Sequence, residues 1–254
     1  MKRLLRENIL GVGIHAIQME DAIHQISAWI KERQAAYVCV TPAHSVMDCV
    51  NHPELKPLYN ESGLTTPDGM AIVWLLKLAG HKEIGRVYGP DLLQTTCKAL
   101  AAEQVRHFFY GGEPGIAEDL VARLKKEVPD LQVAGMYSPP FRALSNEEES
   151  EIIAMFIESG ADIIWVGLGS PRQEVWMAEH VAAIPAVLIG VGAAFDFLSG
   201  HKKQAPRWIQ RSGLEWLFRF CSEPKRLWRR YIQYPKFIWL VILQKTGLRR
   251  FPMD

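Results

Sequence analysis

Two aspartates stand where a carboxylate could do acid–base chemistry or bind a hydroxyl. Asp68 lies between Pro67 and Gly69, after a short run at Leu64 that predicts a strand, and a carboxylate at a strand end can serve as a general base. Asp196 follows the glycine-rich segment 190–192 and could bind the hydroxyls of a ribose. Asp is also favoured in turns and at helix starts. The immediate surroundings of both residues therefore leave a catalytic or binding role and a capping role open.

A second group of polar residues occupies the segment 167–174, whose sequence is Gly-Leu-Gly-Ser-Pro-Arg-Gln-Glu. Ser170 predicts the N-cap of a helix, and Gln173 predicts the residue that completes a capping box. Arg172 and Glu174 are not needed for that local structure, and together with Gln173 they could bind a diphosphate or the hydroxyls of a sugar. The segment is therefore compatible with a plain helix start and with a ligand-binding turn.

Glycines form a third group of candidates. Gly111, Gly112 and Gly115 follow an apolar run and precede a helical stretch, so their backbone N–H groups could bind a phosphate at the positive end of a helix. Their spacing differs from Gly-x-Gly-x-x-Gly, and a tight strand-to-helix turn explains them equally well. Gly169 stands in the comparable turn of segment 167–174. Gly111, Gly112 and Gly169 are thus candidate ligand contacts.

Imidazole and guanidinium groups complete the candidates. His44 follows another apolar run and could contact a substrate, although a lone His at a helix start is more often structural. Near the C-terminus, arginines alternate with aromatic residues; Arg binds phosphate through a planar fork, and aromatic rings favour interfaces. If Pro224 only kinks a helix, Arg219, Arg226 and Arg230 share one helix face.

The charge of the chain changes sign near residue 200. Residues 201–254 hold thirteen of the 29 Lys and Arg but only three of the 28 Asp and Glu, so this segment carries about +10 and residues 1–200 carry about −9. The same segment contains four of the eight Trp. A stretch that is both cationic and aromatic suits a polyanion or an anionic membrane surface.

The candidate residues must be positioned by a regular alternation of elements. Apolar, β-rich runs at 37–40, 107–110, 131–136, 162–166 and 186–189 are separated by amphipathic stretches, which predicts βαβ units and a largely parallel sheet. Ligands bind beyond the carboxyl ends of such strands. After Gly200 the pattern becomes helical, with breaks at Gly213, Pro224 and Pro235. We therefore predict an α/β core over 1–200, with a Rossmann-like, mostly parallel sheet flanked by helices, and a basic helical appendage over 201–254.

Composition excludes several classes of protein. The four Cys are scattered without a Cys-x-x-Cys pair, which argues against a structural zinc site and for reduced thiols in the cytosol. The N-terminus lacks an apolar signal core, and the longest apolar run, 237–243, is far shorter than the roughly 20 residues that span a bilayer. We expect a cytoplasmic protein whose contact with a membrane is peripheral.

Several motifs, taken in order, resemble those of the bacterial WecG/TagA/CpsF glycosyltransferases, also called glycosyltransferase family 26. The resemblance extends from about Asn8 to Tyr231. No single motif would suffice, but their combination is specific. The motifs are Thr41-Pro42, Pro67-Asp68-Gly69 and the segments 85–91, 109–112, 167–174, 190–196, 205–208 and 213–219.

The resemblance implies an inverting, metal-independent enzyme without a cofactor. It would transfer a sugar from a UDP-sugar to a polyprenyl-diphosphate-linked sugar in the inner leaflet of the cytoplasmic membrane, for the biosynthesis of a bacterial surface polysaccharide. It also implies a peripheral C-terminal appendage. A nicotinamide- or nucleotide-dependent enzyme of another class lacks support, because no Gly-x-Gly-x-x-Gly is followed by an acidic residue. A nucleic-acid-binding or membrane-adaptor module would leave the core motifs unexplained, so no nucleic-acid partner is predicted. A homo-oligomer formed through apolar core surface stays open.

Residue roles follow from the resemblance position by position. Asp68 is the implied general base, Arg86 is expected near the diphosphate or donor sugar, and Thr41 and Gln173 match further catalytic positions. The remaining matches are binding residues, with Asp196 and Tyr137 for the uridine and Arg219, Arg226 and Arg229 for the diphosphate charge.

One position departs from the family pattern. Many members have Asn two residues after the threonine of the first motif, whereas this chain has Ala43 followed by His44. The donor sugar is therefore not transferred from better-known members, and His44 is a candidate for the missing hydrogen bond.

Overall fold

The structure is a computed structural model that describes residues 4–253, apart from the side chain of Arg226. A two-stranded antiparallel hairpin precedes a six-stranded sheet with the strand order β4-β3-β8-β7-β5-β6. The pairs β3–β8, β8–β7, β7–β5 and β5–β6 are parallel, which confirms the predicted α/β, Rossmann-like class. The hairpin was not predicted. The strands are β1 (Arg6–Ile9), β2 (Val12–His15), β3 (Ala36–Thr41), β4 (Leu64–Pro67), β5 (Arg106–Gly111), β6 (Gln132–Tyr137), β7 (Ile163–Gly167) and β8 (Val187–Gly190).

Helices follow most strands of the larger sheet, and a run of four helices ends the described chain. No helix of the described residues is long and apolar enough to cross a membrane. The α-helices are α1 (Met19–Glu32), α2 (Ala43–Asn51), α3 (Lys56–Asn60), α4 (Met70–Leu78), α5 (Gly89–Ala99), α6 (Ile116–Glu127), α7 (Asn146–Ser159), α8 (Arg172–His180), α9 (Ala194–Ser199), α10 (Arg207–Ser212), α11 (Glu215–Ser222), α12 (Pro224–Tyr231) and α13 (Tyr234–Lys245).

The chain divides into two compact units that are interleaved along the sequence. Within the described residues, the first unit comprises 4–19, 40–88 and 204–253, and the second comprises Glu20–Cys39 and Gly89–Lys203. The helical C-terminal segment thus belongs to the same unit as the N-terminal hairpin. The assignment of 201–254 as a separate domain stays a prediction.

In the first unit, α13 and the residues that follow it are hydrogen-bonded to the hairpin. The Asn8 side-chain amide donates to the carbonyl of Phe251 at 2.7 Å, and the Leu10 N–H donates to Oε1 of Gln244 at 3.0 Å. Phe237 and Leu240 of α13 are buried. Since apolar burial is the main favourable contribution to folding, this C-terminal helix forms part of the core of the first unit.

In the second unit, the core lies around the central strands β5, β7 and β8. Phe108 meets Phe156 edge to face at 4.9 Å, and Tyr110 contacts Trp176 at 4.8 Å between ring centroids. Such aromatic pairs stabilise a core beyond their buried area. Trp165 of β7 is fully buried, and its ring stacks on that of His107 at 6.2 Å between centroids. The unbroken burial of these strands explains why they are continuous apolar runs in the sequence.

Two local predictions were wrong, and proline is involved in both. Helix α8 begins at Arg172 after Pro171 and has no side-chain cap, so the capping box of Ser170 and Gln173 does not form. The Ser170 hydroxyl donates instead to Oε1 of Glu174 at 2.8 Å.

Pro224 begins α12, because its ring suits the first helical turn. Arg219 in α11 and Arg230 in α12 therefore do not share the face of one kinked helix.

Candidate functional site

A cavity of about 280 Å³ lies within the first unit. This volume is close to the lower end of the range of small-molecule sites, about 300–1,000 Å³. Its lining combines aromatic rings with several ionisable side chains, and ligand sites likewise place polar groups among apolar and aromatic ones. The ionisable and aromatic lining residues are His44, Asp68, Arg86, Glu215, Arg219, Trp74, Trp216, Tyr231, Tyr234 and Phe237.

The turn between β4 and α4 places Asp68 at the wall of the cavity. Its N–H donates to the carbonyl of Thr41 at 3.3 Å, which ties the ends of β3 and β4 together. Gly69, at φ +76°, is the N-cap of α4, and its N–H donates to Oδ1 of Asp68 at 2.7 Å. Only glycine adopts this φ without strain. Asp68 is therefore not the N-cap of α4, and its carboxylate faces the cavity.

Arg86 joins two carboxylates in a partly buried ion-pair cluster. Its Nε donates to Oδ1 of Asp68 at 2.9 Å, and its Nη1 donates to Oε2 of Glu215 at 2.6 Å. The three side chains are 15%, 15% and 11% exposed, in the order Arg86, Asp68 and Glu215. The guanidinium also lies 4.0 Å above the ring of Tyr88. Burial acts to lower the pKa of Arg86, but the charges of Asp68 and Glu215 outweigh it and raise that pKa. Arg86 is therefore a permanent cation.

Glu215 was missed as a site residue by the sequence analysis. It appeared only as one letter of the motif at 213–219, within a segment noted for its basic residues. Glu is almost never buried unless it is paired, and Glu215 is a buried residue. The signal in the sequence was an acidic residue at a helix start inside a cationic stretch, but nothing local indicated its partner.

Arg219 and His44 line the same cavity. Burial acts to lower the pKa of Arg219, while Tyr231, Tyr88 and the nearby carboxylates raise it above its ordinary value. Burial, followed by the charges of Arg230 and Arg219, holds the pKa of His44 well below its usual value. His44 is therefore a neutral imidazole at pH 7, able to donate one hydrogen bond and accept another.

The other two predicted tail arginines differ in their surroundings. Arg229 is exposed, and its guanidinium lies 5.7 Å from the ring centroid of Trp228. It does not line the cavity. The side chain of Arg226 lies outside the described residues. Of the three tail arginines predicted for diphosphate binding, the structure brings Arg219 together with Asp68 and Arg86.

The predicted glycines belong to the second unit, at the carboxyl ends of neighbouring strands. The Gly112 N–H donates to the carbonyl of Gly167 at 3.2 Å, so the turns after β5 and β7 touch. Gly111 has φ +126°, and a Cβ there would stand 2.6 Å from the backbone of Gly167. Around Gly169, at φ +79°, a Cβ would meet no atom within 4 Å. Close backbone approach explains Gly111, whereas Gly169 lies beside open space.

Gln173 and Glu174 are buried in the first turn of α8. The Gln173 amide donates to Oε1 of Glu174 at 3.0 Å, and this oxygen also accepts the Ser170 hydroxyl. Oε1 of Gln173 would stand 3.4 Å from a Cβ built on Gly192, and it has no hydrogen-bond partner among the described residues. A buried acceptor without a partner is costly unless a ligand or water satisfies it.

Tyr137 and Asp196 also lie in the second unit. Tyr137 ends β6, and its ring stacks on Tyr110 at 6.3 Å with an interplanar angle of 4°. Asp196 lies in the first turn of α9, and its Oδ2 is 2.8 Å from Nζ of Lys202. Within the described residues, no group of three His, Cys, Asp or Glu could hold a metal ion.

Comparison with known proteins agrees with these features. The family model described as "Glycosyl transferase WecG/TagA/CpsF family" matches residues 7–251. One relative, from Bacillus spizizenii strain ATCC 23059 / NRRL B-14472 / W23, is 27% identical over 220 residues, covering 86% of this chain and 83% of the relative. Another, from Bacillus subtilis strain 168, is 25% identical over 224 residues, covering 88% and 85%. Both are named N-acetylglucosaminyldiphosphoundecaprenol N-acetyl-beta-D-mannosaminyltransferase. Because the family model covers nearly the whole sequence, this chain belongs to the WecG/TagA/CpsF family of glycosyltransferases.

Proposed function

We propose that this glycosyltransferase moves an N-acetylhexosaminyl-type sugar from a UDP-sugar to N-acetylglucosamine linked through diphosphate to a polyprenol. The product would be an early intermediate of a bacterial surface polysaccharide. The names of the two Bacillus relatives support this acceptor. The observation that carries the proposal is the Asp68 carboxylate, held by Arg86 at the wall of a cavity that is lined by further cationic and aromatic side chains.

Asp68 is the base in this reaction. As an acceptor hydroxyl attacks the anomeric carbon, its proton passes to the Asp68 carboxylate and the new C–O bond forms on one face of the sugar. The bond from the anomeric carbon to the UDP oxygen breaks on the opposite face, so the configuration inverts. The departing UDP keeps the electron pair and gains negative charge.

That developing charge requires cations or N–H donors positioned before the reaction starts. Arg219 at the cavity wall is proposed for the diphosphate, whereas Arg86 is already engaged with two carboxylates and is proposed to hold Asp68. Gln173, Tyr137 and Asp196 of the second unit are proposed for donor binding. The unsatisfied Oε1 of Gln173 supports a polar ligand near that side chain.

The remaining sequence-based roles are also proposals. Thr41 is buried at the end of β3, where its carbonyl accepts the Asp68 N–H and so supports the base. The protein is proposed to act in the cytoplasm at the inner face of the membrane, because its acceptor is anchored there. Exposed Trp side chains in α10, α12 and α13 support peripheral membrane contact.

The test combines a donor panel with a variant of the base. Purified protein is incubated with UDP-sugars and a short-chain polyprenyl-diphosphate N-acetylglucosamine, and the product mass is measured. We expect mass gain with an N-acetylhexosamine donor. Asp68→Asn should lower kcat about 10²–10⁴-fold, the usual contribution of a positioned base, while UDP still raises the Tm.

Asp130→Asn is the matched control, because Asp130 is exposed in the second unit, and it should keep full activity. Absence of transfer from every UDP-sugar, combined with stabilisation by NAD or RNA instead of UDP, would assign the chain to another class of function. Full activity of Asp68→Asn would remove Asp68 from the role of base.

A further inference from the structure

We propose that Glu215 is a positioning residue for the transfer reaction, which fixes Arg86 and, through Arg86, the carboxylate of Asp68. The inference rests on the proposed function of Asp68 as base. It concerns a residue of the C-terminal helical segment that has no local relation to the Pro67-Asp68-Gly69 turn. The observation behind it is the partly buried cluster in which one guanidinium binds both carboxylates.

The geometry of the guanidinium explains how one carboxylate can orient another. The group is planar and rigid, and its N–H donors point in fixed directions. Asp68 accepts from Nε and Glu215 accepts from Nη1, so two different donor positions are held. The Tyr88 ring covers one face at 4.0 Å. With Glu215 removed, Arg86 could rotate about its side-chain bonds, and the direction of the Nε–H bond to Asp68 would no longer be fixed.

The local fold holds Glu215 itself in place. It is the first residue of α11 and follows a turn in which Gly213 has φ +80°. The indole of Trp74 from α4 packs on this turn so closely that a Cβ at Gly213 would stand 2.5 Å from Cη2. A buried carboxylate is costly unless it is paired, so loss of the ion pair with Arg86 would be strongly unfavourable for Glu215.

Glu215 also changes the distribution of charge around Asp68. Glu215 places a second carboxylate near Asp68, and both carboxylates bind the single cation Arg86. The other titratable groups around the two carboxylates are Tyr88, Arg219 and Tyr234. Glu215 thus fixes Arg86 and also adds negative charge beside the cavity wall.

The first experiment measures kcat and the donor KM of Glu215→Ala and Glu215→Gln. Misplacing a catalytic group by about 1 Å can cost about 10²-fold, so we expect kcat of Glu215→Ala to fall by about 10- to 100-fold with a donor KM within about threefold. Glu215→Gln keeps an oxygen that accepts from Arg86 and should recover part of this loss. Glu83→Ala, at an exposed position of the same unit, is the matched control and should behave as wild type.

The second experiment tests whether Glu215 acts through Arg86. Adding Glu215→Ala to Arg86→Ala should lower kcat by less than about threefold, since residues that act through one another are not additive. A multiplicative loss in the double variant, or wild-type kcat in Glu215→Ala, would overturn the inference. If Glu215→Ala does not fold, as judged by its circular dichroism, Glu215→Gln, Arg86→Ala and the pair Arg86→Ala/Glu215→Gln carry the same comparison. Failure of the proposed function looks different, because the wild type would then transfer no sugar.

Discussion

At the scale of single residues, the candidate base is held in an ion pair before substrate arrives. Asp68 accepts from the Gly69 N–H and from Arg86, so its carboxylate has a fixed direction. A free carboxylate at the surface would lose this orientation and would have to be ordered at the moment of reaction. The pairing therefore serves preorganisation, and Glu215 extends it to a third side chain.

Buried histidines should make the stability of the protein depend on pH. Burial, partly offset by the charge of Asp162, lowers the pKa of His107 to about 4, and burial with the charge of Arg6 lowers that of His15 to about 4. In the unfolded chain the pKa is about 6.5, so between about pH 6.5 and 4 the unfolded state binds more protons. The free energy of unfolding should therefore fall as the pH drops through this window.

The substitution His107→Gln isolates the contribution of His107 to the pH dependence of the free energy of unfolding. From pH 7 to pH 5, urea denaturation should show a loss of stability smaller by about 2 kcal/mol in this variant than in wild type. His24→Gln changes an exposed residue of α1 and should leave the pH dependence as it is. The same loss in His107→Gln and wild type would contradict a neutral, buried His107.

At the scale of elements, the breaks between the C-terminal helices determine where side chains point. Gly213 ends α10 in the left-handed region, and Pro224 begins α12. These breaks place Glu215 and Arg219 on α11, a separate helix from Arg229 and Arg230. The turn at Gly213 is packed against Trp74 of α4, so its position is set by a neighbouring element.

Two glycines with nearly the same backbone allow the packing at this turn to be measured. Gly213 has φ +80° and Gly247 has φ +75°, but a Cβ would meet Trp74 at 2.5 Å in the first case and no atom within 4 Å in the second. Substitution by Ala should lower the free energy of unfolding by about 1–2 kcal/mol at either position, because of the positive φ. Gly213→Ala should cost about 1–3 kcal/mol more, because of the clash.

Chemical denaturation of the two variants provides the measurement. Equal losses of unfolding free energy in Gly213→Ala and Gly247→Ala would mean that Trp74 does not pack on the turn. A larger loss in Gly213→Ala should be accompanied by weaker activity, since Trp74 and Gly213 both line the cavity.

At the scale of the whole molecule, the basic segment identified in the sequence is part of a folded unit. The Gln244 side chain of α13 donates a hydrogen bond to the N-terminal hairpin and accepts one from it, and Phe237 and Leu240 of the same helix are buried. Deleting residues 205–254 would thus remove core as well as surface. Substitution of exposed side chains tests membrane contact without this complication.

Exposed tryptophans of the C-terminal segment should carry binding to anionic membranes. Trp208 is 69% and Trp239 is 59% exposed, and neither lines the cavity. Replacing both by Gln should weaken binding to phosphatidylglycerol vesicles by about tenfold or more, because amphipathic rings favour the membrane interface. Wild-type binding should also weaken with salt, as expected for a basic surface.

Phe141, which is 97% exposed in the second unit, is the matched control. Phe141→Gln should bind vesicles as wild type does. Vesicle binding that survives the Trp208→Gln/Trp239→Gln change, or that is lost in Phe141→Gln, would place the membrane-binding surface elsewhere.

The sequence predicted local structure well where one local rule applied. The apolar runs predicted the parallel sheet. At Ser145, where Glu148 follows three residues later, the structure has the capping box that this spacing predicts, and the Glu148 N–H donates to Ser145 Oγ at 3.3 Å. The same reasoning was wrong at Ser170, because Pro171 occupies the N-cap and Glu174 takes the hydroxyl. A pattern of residue types predicts a cap only if the backbone adopts the matching conformation.

By itself, the sequence determined the α/β class, the motif residues and the cationic character of the C-terminal segment, since composition and periodicity depend on near neighbours. Only the tertiary structure decided that Arg86 binds Asp68, 18 positions away, and Glu215, 129 positions away. No spacing rule relates residues so far apart. Their pairing follows from the packing of α4 against the turn at Gly213, together with the high cost of leaving a buried charge unpaired.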